Sequence, residues 1–257
     1  MQRIITFIAL VLLGAGTAHA TADRVAVSGT QPAFADIAKQ IGGSLVVSAP
    51  LGAGTSPDMI LMEGGPYDAW VAPRAKGLPA RTAVLHAKNV ADHSSEFTWY
   101  DPQSMIFFGQ KIARELAARL PAHADEIQAR ETAFEKSMQD VQARASAVGQ
   151  MYRGSNVLLA DVRYSPLIRL LKLDDVTHGE KQSEVDLLRA IHSHKGMILI
   201  YGARGKLGLS ETLKDAAQEA GIPMVGLQEE EPAALNYQQW MNRSISTIRG
   251  ALNEASP

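Results

Sequence analysis

The stretch from residue 122 to residue 149 constrains the fold of this 257-residue chain more than any other. Its apolar residues recur at steps that keep them on one face of an α-helix, whereas the other positions are charged or small. These apolar residues are Ile127, Phe134, Met138, Val141, Ala145 and Val148. Pro121 precedes the run and Gly149 closes it, as at many helix ends. At about 1.5 Å per residue, the helix is predicted to be a rod of roughly 42 Å.

Short apolar runs alternate with helical patterns on both sides of this rod. The predicted strands lie at residues 24–29, 45–47, 59–62 and 82–85 before it, and at residues 156–160, 197–201 and 223–227 after it. Such alternation predicts parallel strands connected by helices. The fold class is therefore α/β, with two lobes of parallel sheet and flanking helices joined by one long rigid backbone helix. The predicted boundaries are 21–121 for the N-terminal lobe, 122–149 for the connecting helix and 150–257 for the C-terminal lobe. Ligands of such sheets collect at the carboxyl ends of the strands, which here means the cleft between the lobes.

The first twenty residues have the pattern of a secretory signal peptide. Arg3 provides the positive charge, residues 4–13 form an apolar core too short to span a membrane, and positions 18–20 read Ala-His-Ala. We expect cleavage after Ala20 and release of a protein that begins at Thr21 into the periplasm of a Gram-negative cell.

Composition and motifs exclude several classes of function. The chain has no cysteine, which excludes disulfides, thiolate metal sites and a lipid anchor on cysteine. Its net charge is −2 and it has no long basic run, so nucleic acid is not an expected partner. No nucleophile elbow, zinc-protease motif or dinucleotide fingerprint is present, and the chain is not expected to be an enzyme.

Three stretches resemble the zinc/manganese class of periplasmic solute-binding proteins of ABC importers. Residues 25–43 (VAVSGTQPAFADIAKQIGG) resemble the first strand and helix of that family. Residues 96–102 (EFTWYDP) and 221–241 (GIPMVGLQEEEPAALNYQQWM) resemble two of its later motifs. The resemblance runs over nearly the whole mature chain. It implies two α/β lobes joined by a long helix, a divalent metal ion (Zn or Mn) as the transported ligand, and an inner-membrane ABC permease as the partner.

The family holds its metal with two histidines from the first lobe, a histidine or glutamate at the start of the second, and a late carboxylate. Two registers fit the first histidine. In one, Asp58 stands at the ligand position. In the other, residues 57–70 match a later strand of the family and the segment with the first ligand is absent; this register aligns more residues and is preferred. The second histidine falls on Phe97, the third ligand on Asp161 and the fourth on Glu229.

Two acids, Asp161 and Glu229, thus remain of the implied ligand set. Carboxylates without imidazole make a poor zinc site and suit manganese, calcium or magnesium better. Two bare acids that face a closing cleft repel each other unless a cation joins them, which favours a bound cation. The same repulsion predicts that alanine at both positions leaves the stability of the fold unchanged or improved. In the alternative reading both acids are solvated and Asp161 pairs with Arg163. Glu96 and His93, in the loop near the second ligand position, are candidates to complete the site.

The resemblance implies a monomeric solute-binding component of a metal-type ABC importer, which captures a divalent cation between its lobes; the residues themselves support the scaffold and two acids. The alternative is a non-transport periplasmic interaction protein on the same scaffold with a vestigial metal site. Aromatic residues near the cleft either line an apolar pocket for an organic ligand or pack between the lobes. They are Trp70, Phe97, Trp99, Tyr100 and Tyr164. His192 and His194 do not share a helix face and are weak as a metal pair.

Overall fold

The computed structural model describes residues 24–51, 56–88, 97–177, 183–203 and 209–256. The expected signal peptide lies outside these residues. The strands are β1 Val25–Gly29, β2 Val46–Ser48, β3 Met59–Met62, β4 Ala83–His86, β5 Asn156–Leu159, β6 Asp174–Asp175, β7 Ile198–Gly202 and β8 Met224–Leu227. The helices are α1 Pro32–Gly42, α2 Ala72–Ala75, α3 Pro102–Arg119, α4 Ala124–Met151, α5 Ser165–Leu170, α6 Glu184–His192, α7 Glu211–Glu219 and α8 Tyr237–Ala255. None of the helices in the described part of the chain is long and apolar enough to cross a membrane.

The strands form two four-stranded sheets, in the orders β2-β1-β3-β4 and β6-β5-β7-β8. Every neighbouring pair is parallel. The predicted α/β class with two parallel sheets and flanking helices is therefore confirmed. In both sheets the chain reverses its direction of strand addition beside the first strand, and such switch points are where parallel sheets bind ligands.

The long helix α4 has 28 residues and connects the two sheets. All six residues of the predicted apolar stripe are buried, since they pack on α1 and α3 on one side and on α5 and α8 on the other. The helix begins and ends two residues later than the sequence pattern suggests. Pro121–His123 forms a separate 3-10 turn. Gly149 lies inside the helix and does not end it. It allows the close approach of the next segment, because a Cβ there would lie 2.8 Å from the carbonyl oxygen of Leu171.

One position in the buried face of α4 is charged. Glu131 fills the gap between Ile127 and Phe134 and is only 5% exposed. Gln128 donates a hydrogen bond to its Oε2 over 2.7 Å, but its Oε1 has no partner among the described residues. Burial, and then the charge of Glu135, raises the pKa of Glu131. The carboxylate is therefore a destabilising element of the stripe at neutral pH.

Glu131→Leu is expected to raise the free energy of unfolding by about 1–2 kcal/mol, because it replaces a poorly paired buried carboxylate with an apolar side chain. Urea denaturation at pH 7 measures the difference. Lys136→Leu, on the exposed face of the same helix, is the matched control and should change stability little. A loss of stability in Glu131→Leu would show that the stripe has no room for leucine.

One apolar core extends from the first sheet along α4 into the second lobe. A row of aromatic rings crosses between the lobes, with centroids 6.1 Å apart for Trp99 and Tyr100 and 5.1 Å apart for Tyr100 and Tyr164. All three side chains are at most 1% exposed. They pack between the lobes and do not line an open pocket, whereas Trp70 is 42% exposed.

This continuous packing predicts little relative motion of the lobes. Small-angle scattering curves recorded with and without a divalent cation should nearly superpose, because separating the lobes would expose buried aromatic side chains. A clear ligand-dependent change in the radius of gyration would contradict this expectation.

Candidate functional site

The chain places Asp161 at the switch point of the second sheet. Strand β5 ends at Leu159, the ladder continues through a hydrogen bond from Ala160 N to Ile200 O (2.8 Å), and Asp161 follows at the carboxyl edge. The Asp161 side chain caps a 3-10 turn over Val162–Tyr164 and accepts a hydrogen bond from Arg163 N (3.0 Å). Asp161 is only 6% exposed. Its carboxylate is thus held in a fixed position beside the cleft.

Glu229 approaches the same place from β8, two strands away. Its backbone is fixed to the first lobe through the Tyr100 hydroxyl, which donates to the carbonyl oxygens of Gln228 and Glu229 at 3.1 Å each. The Glu229 side chain lies over Gly202, the last residue of β7. A Cβ on Gly202 would lie 2.6 Å from Glu229 Oε1, so the absence of a side chain there makes room for the carboxylate.

Arg163 joins the two acids. Its Nε lies 3.0 Å from Asp161 Oδ1 and 2.9 Å from Oδ2, its Nη2 lies 2.5 Å from Oδ2, and its Nη1 lies 3.0 Å from Glu229 Oε2. The expectation of two bare, repelling carboxylates is therefore wrong. The alternative pairing of Asp161 with Arg163 is present and extends to Glu229. The fourth carboxylate oxygen, Glu229 Oε1, is buried and has no hydrogen-bond partner among the described residues.

The guanidinium of Arg163 stays charged in this setting. Burial acts to lower the pKa of Arg163, but the hydrogen bonds and charge of Asp161, followed by those of Glu229, outweigh it and raise the pKa. The side chains of Arg163 and Glu229 are each 17% exposed, and that of Asp161 is 3% exposed. Burial, followed by the charge of Asp161, also raises the pKa of Tyr164, whose hydroxyl donates to Leu227 O (3.0 Å). Asp161, Glu229 and Arg163 together form a half-closed ion cluster with two negative charges and one positive charge.

Tyr67 belongs to the first lobe, and charges at and beside the ion cluster act on its hydroxyl. Burial raises the pKa of its hydroxyl; the charge of Glu230 raises it further and the charge of Arg163 lowers it. The hydroxyl accepts a hydrogen bond from Gln31 Nε2, and the ring lies 5.0 Å from the Trp99 ring. Sequence reasoning missed Tyr67. The signal for it was its position in the turn that follows β3 at the carboxyl edge of the first sheet.

Phe97, on which the resemblance places the family's second histidine, has no side-chain donor atom for a metal. Its φ of 63° and ψ of 47° lie in the left-handed region that bulky residues rarely adopt. The next residue fixes the loop, since Thr98 donates from its N (3.0 Å) and its hydroxyl (2.5 Å) to the carboxylate of Glu63. Glu63 follows β3 and is 1% exposed, and burial raises its pKa. Sequence reasoning also missed this buried acid, which here positions a loop.

Asp58 lies at the amino end of β3, on the opposite edge of the sheet from the cleft. It accepts a hydrogen bond from Ala26 N (2.9 Å) and lies 4.0 Å from Arg81. The structure therefore does not bring Asp58 together with Asp161 and Glu229. Glu96 and His93 lie outside the described residues. Within the described ranges, no three histidine, cysteine or acidic residues are grouped so that they could hold a metal ion.

Two α/β lobes, a helix that connects them and an ion cluster at the carboxyl ends of the strands are the features of the bilobal solute-binding proteins. The sequence model of a family described as "Zinc-uptake complex component A periplasmic" matches residues 51–251. The chain belongs to this family, the periplasmic solute-binding components of metal ABC importers. Among curated protein sequences, none matches the chain significantly.

Solved structures share the fold at low sequence identity. FpvC from Pseudomonas aeruginosa, in complex with Mn²⁺, is 18% identical with a TM-score of 0.72, over 91% of this chain and 100% of that chain. The zinc-binding protein TroA from Treponema pallidum is 16% identical with a TM-score of 0.71, over 89% and 99%. A periplasmic metal-binding protein from Candidatus Liberibacter asiaticus is 17% identical with a TM-score of 0.66, over 89% and 100%. This similarity confirms the expected architecture.

Proposed function

We propose that this protein is exported, captures a divalent cation between its lobes with the carboxylates of Asp161 and Glu229, and delivers it as a monomer to an inner-membrane ABC permease. It performs no catalysis. Residues 1–20 are the signal peptide, and residues 21–123 and 152–257 are the lobes on either side of the connecting helix Ala124–Met151. An intact mass that begins at Thr21 would support the export step, and retention of residues 1–20 would contradict it.

The observation that carries this proposal is the excess negative charge of the buried cluster. Two carboxylates share one guanidinium, and Glu229 Oε1 has no hydrogen-bond partner among the described residues. The exposed Glu230 adds a further negative charge close by. Such a cluster attracts a cation and repels an anion, and the interaction is strong where water is partly excluded.

The donor atoms of this site suit manganese, whereas the imidazole donors of a histidine site suit zinc. Asp161 and Glu229 offer only oxygens, and Phe97 offers no donor at all. Zinc gains most from nitrogen and sulfur ligands, whereas manganese accepts carboxylates and water. We therefore propose that the site ranks Mn²⁺ closer to Zn²⁺ than a histidine site would.

Calorimetric titration with Mn²⁺ and Zn²⁺ tests the proposal. Asp161→Asn should weaken binding about tenfold or more, since it removes a charged ligand while keeping the side chain's shape. Asp58→Asn is the matched control: it should leave binding unchanged, because Asp58 lies at the other edge of the first sheet. Binding that responds to Asp58→Asn and not to Asp161→Asn would place the site elsewhere.

A second candidate function is supported by the same cluster. Arg163 already neutralises part of the acidic charge, and the described residues offer no group of three metal ligands. Both facts are expected of an interaction protein that keeps the scaffold with a vestigial site. Failure of the wild type to bind any divalent cation in the titration would favour this candidate.

Gly202 provides a prediction specific to the proposed site. Gly202→Ala is expected to weaken cation binding about tenfold while changing thermal stability little, because the new Cβ displaces only the flexible end of Glu229. Gly250→Ala, where a Cβ has open space, is the control. Calorimetry and thermal melts on both variants measure the two effects. Unchanged affinity in Gly202→Ala would exclude Glu229 as a ligand.

A further inference from the structure

We propose that the guanidinium of Arg163 holds the place of the cargo in the cation-free protein, so that cation capture is an exchange in which the incoming ion displaces a tethered one. Arg163 would then set the affinity of the site. This inference rests on the proposed function, because it takes Asp161 and Glu229 as the ligands.

The hydrogen bonds of Arg163 account for most of the site. The guanidinium bonds to both oxygens of Asp161 and to Oε2 of Glu229. Of the four carboxylate oxygens, only Oε1 of Glu229 has no hydrogen-bond partner in the part of the chain that the structure describes. A divalent ion that used these carboxylates would sit within a few ångströms of the guanidinium and compete for the same lone pairs. The two cations would repel each other strongly in this half-closed site, so they cannot occupy it together.

The position of Arg163 allows its guanidinium to move out of the ion cluster. It lies in a single 3-10 turn at the edge of the cleft, next to Val162, which is 40% exposed. Glu230 directly follows Glu229, whose Oε2 already lies 3.0 Å from Nη1 of Arg163. Glu230 is exposed and makes no ion pair in the described structure, so it offers a new partner to a displaced guanidinium.

The exchange has consequences for affinity and selectivity. Binding must include the cost of breaking the Arg163 pairs, so the wild type binds any cation more weakly than the two carboxylates alone would. A monovalent ion has the same charge as the guanidinium it replaces, so the exchange gains little electrostatic free energy. A divalent ion has twice the charge and can displace the guanidinium.

Titration of Mn²⁺ into wild type, Arg163→Gln, Arg163→Ala and Arg163→Lys tests the inference. We expect Arg163→Gln and Arg163→Ala to bind Mn²⁺ about tenfold or more tightly than wild type. Arg163→Lys keeps the charge with fewer hydrogen bonds and should have an intermediate affinity. Arg169→Gln, an exposed arginine on α5, is the control and should match the wild type. In thermal melts, Mn²⁺ should stabilise Arg163→Gln more than wild type.

The outcomes separate this inference from the proposed function. If wild type binds Mn²⁺ through Asp161 but Arg163→Gln and Arg163→Ala bind equally or more weakly, the function stands and the exchange is overturned. If neither wild type nor the Arg163 variants bind, both are overturned. Should Arg163→Ala fail to fold without metal, Arg163→Lys must still bind more tightly than wild type for the inference to hold.

Discussion

Replacing Asp161 and Glu229 together by alanine is expected to lower the free energy of unfolding by about 3 kcal/mol or more. The double substitution removes every ion-pair partner that the described structure gives to Arg163, whose side chain is only 17% exposed. A largely buried guanidinium without partners costs more than the two carboxylates cost together. The sequence interpretation with two bare acids suggested the opposite sign, because it left Arg163 out of the cluster. Urea denaturation at pH 7 measures the change.

A triple variant that adds Arg163→Met provides the control. It removes the stranded charge and fills its place with an apolar side chain, so it should recover most of the lost stability. Neither variant should bind a divalent cation. A double variant as stable as wild type would mean that the ion cluster contributes little to folding.

Glu231→Gln is expected to remove most of the loss of stability that the protein suffers as the pH rises above 4.5. Glu231 is 9% exposed, and its Oε2 has no hydrogen-bond partner among the described residues. Burial, followed by the charge of Asp36 on α1, raises the pKa of Glu231 from 4.5 to about 8. The folded protein thus binds this proton more tightly than the unfolded chain does. Ionisation of this group lowers the stability of the protein by roughly 5 kcal/mol in all as the pH rises from about 4.5 to about 8, and its contribution is constant above that window.

Thermal melts across pH 4.5 to 9 test this dependence. At pH 9 the Glu231→Gln variant should melt about 10 °C above wild type, and near pH 4.5 the two should coincide. Asp36 and Tyr237 are the neighbouring titratable groups and are retained in both proteins. Glu230→Gln, at the exposed adjacent position, should follow the wild-type curve. Equal pH dependence in wild type and Glu231→Gln would contradict the account of this residue.

Much of the fold could be predicted from the sequence because its strands and helices carry strong periodic patterns. The apolar stripe of α4 and the buried run of β3 are examples, and β3 has the bounds that the pattern predicts. Strand β6 was missed because two residues carry no pattern, and its pairing with β5 is a tertiary effect. Helix α5 ends at Leu170, and Lys172 just beyond it adopts a φ of 54° that the residue types there do not predict.

The candidate site was less accessible to sequence reasoning. The family resemblance implied Asp161 and Glu229, and the structure brings both to one place. The sequence could suggest only the local pair of Arg163 with Asp161. The hydrogen bond of Arg163 to Glu229 joins residues 66 positions apart, and no local pattern predicts it. Glu63 gave no signal, and Tyr67 gave only its position in the turn after β3, since a buried acid and an interlobe tyrosine are recognised by their surroundings and not by residue type.

The most direct test of the account is a crystal structure of the protein with Mn²⁺, using anomalous scattering to locate the ion. We predict a single strong peak within coordination distance of Asp161 and Glu229, with the Arg163 guanidinium moved out of the cluster. An intact Arg163 cluster with no peak between the two carboxylates, or a peak at another site, would contradict it.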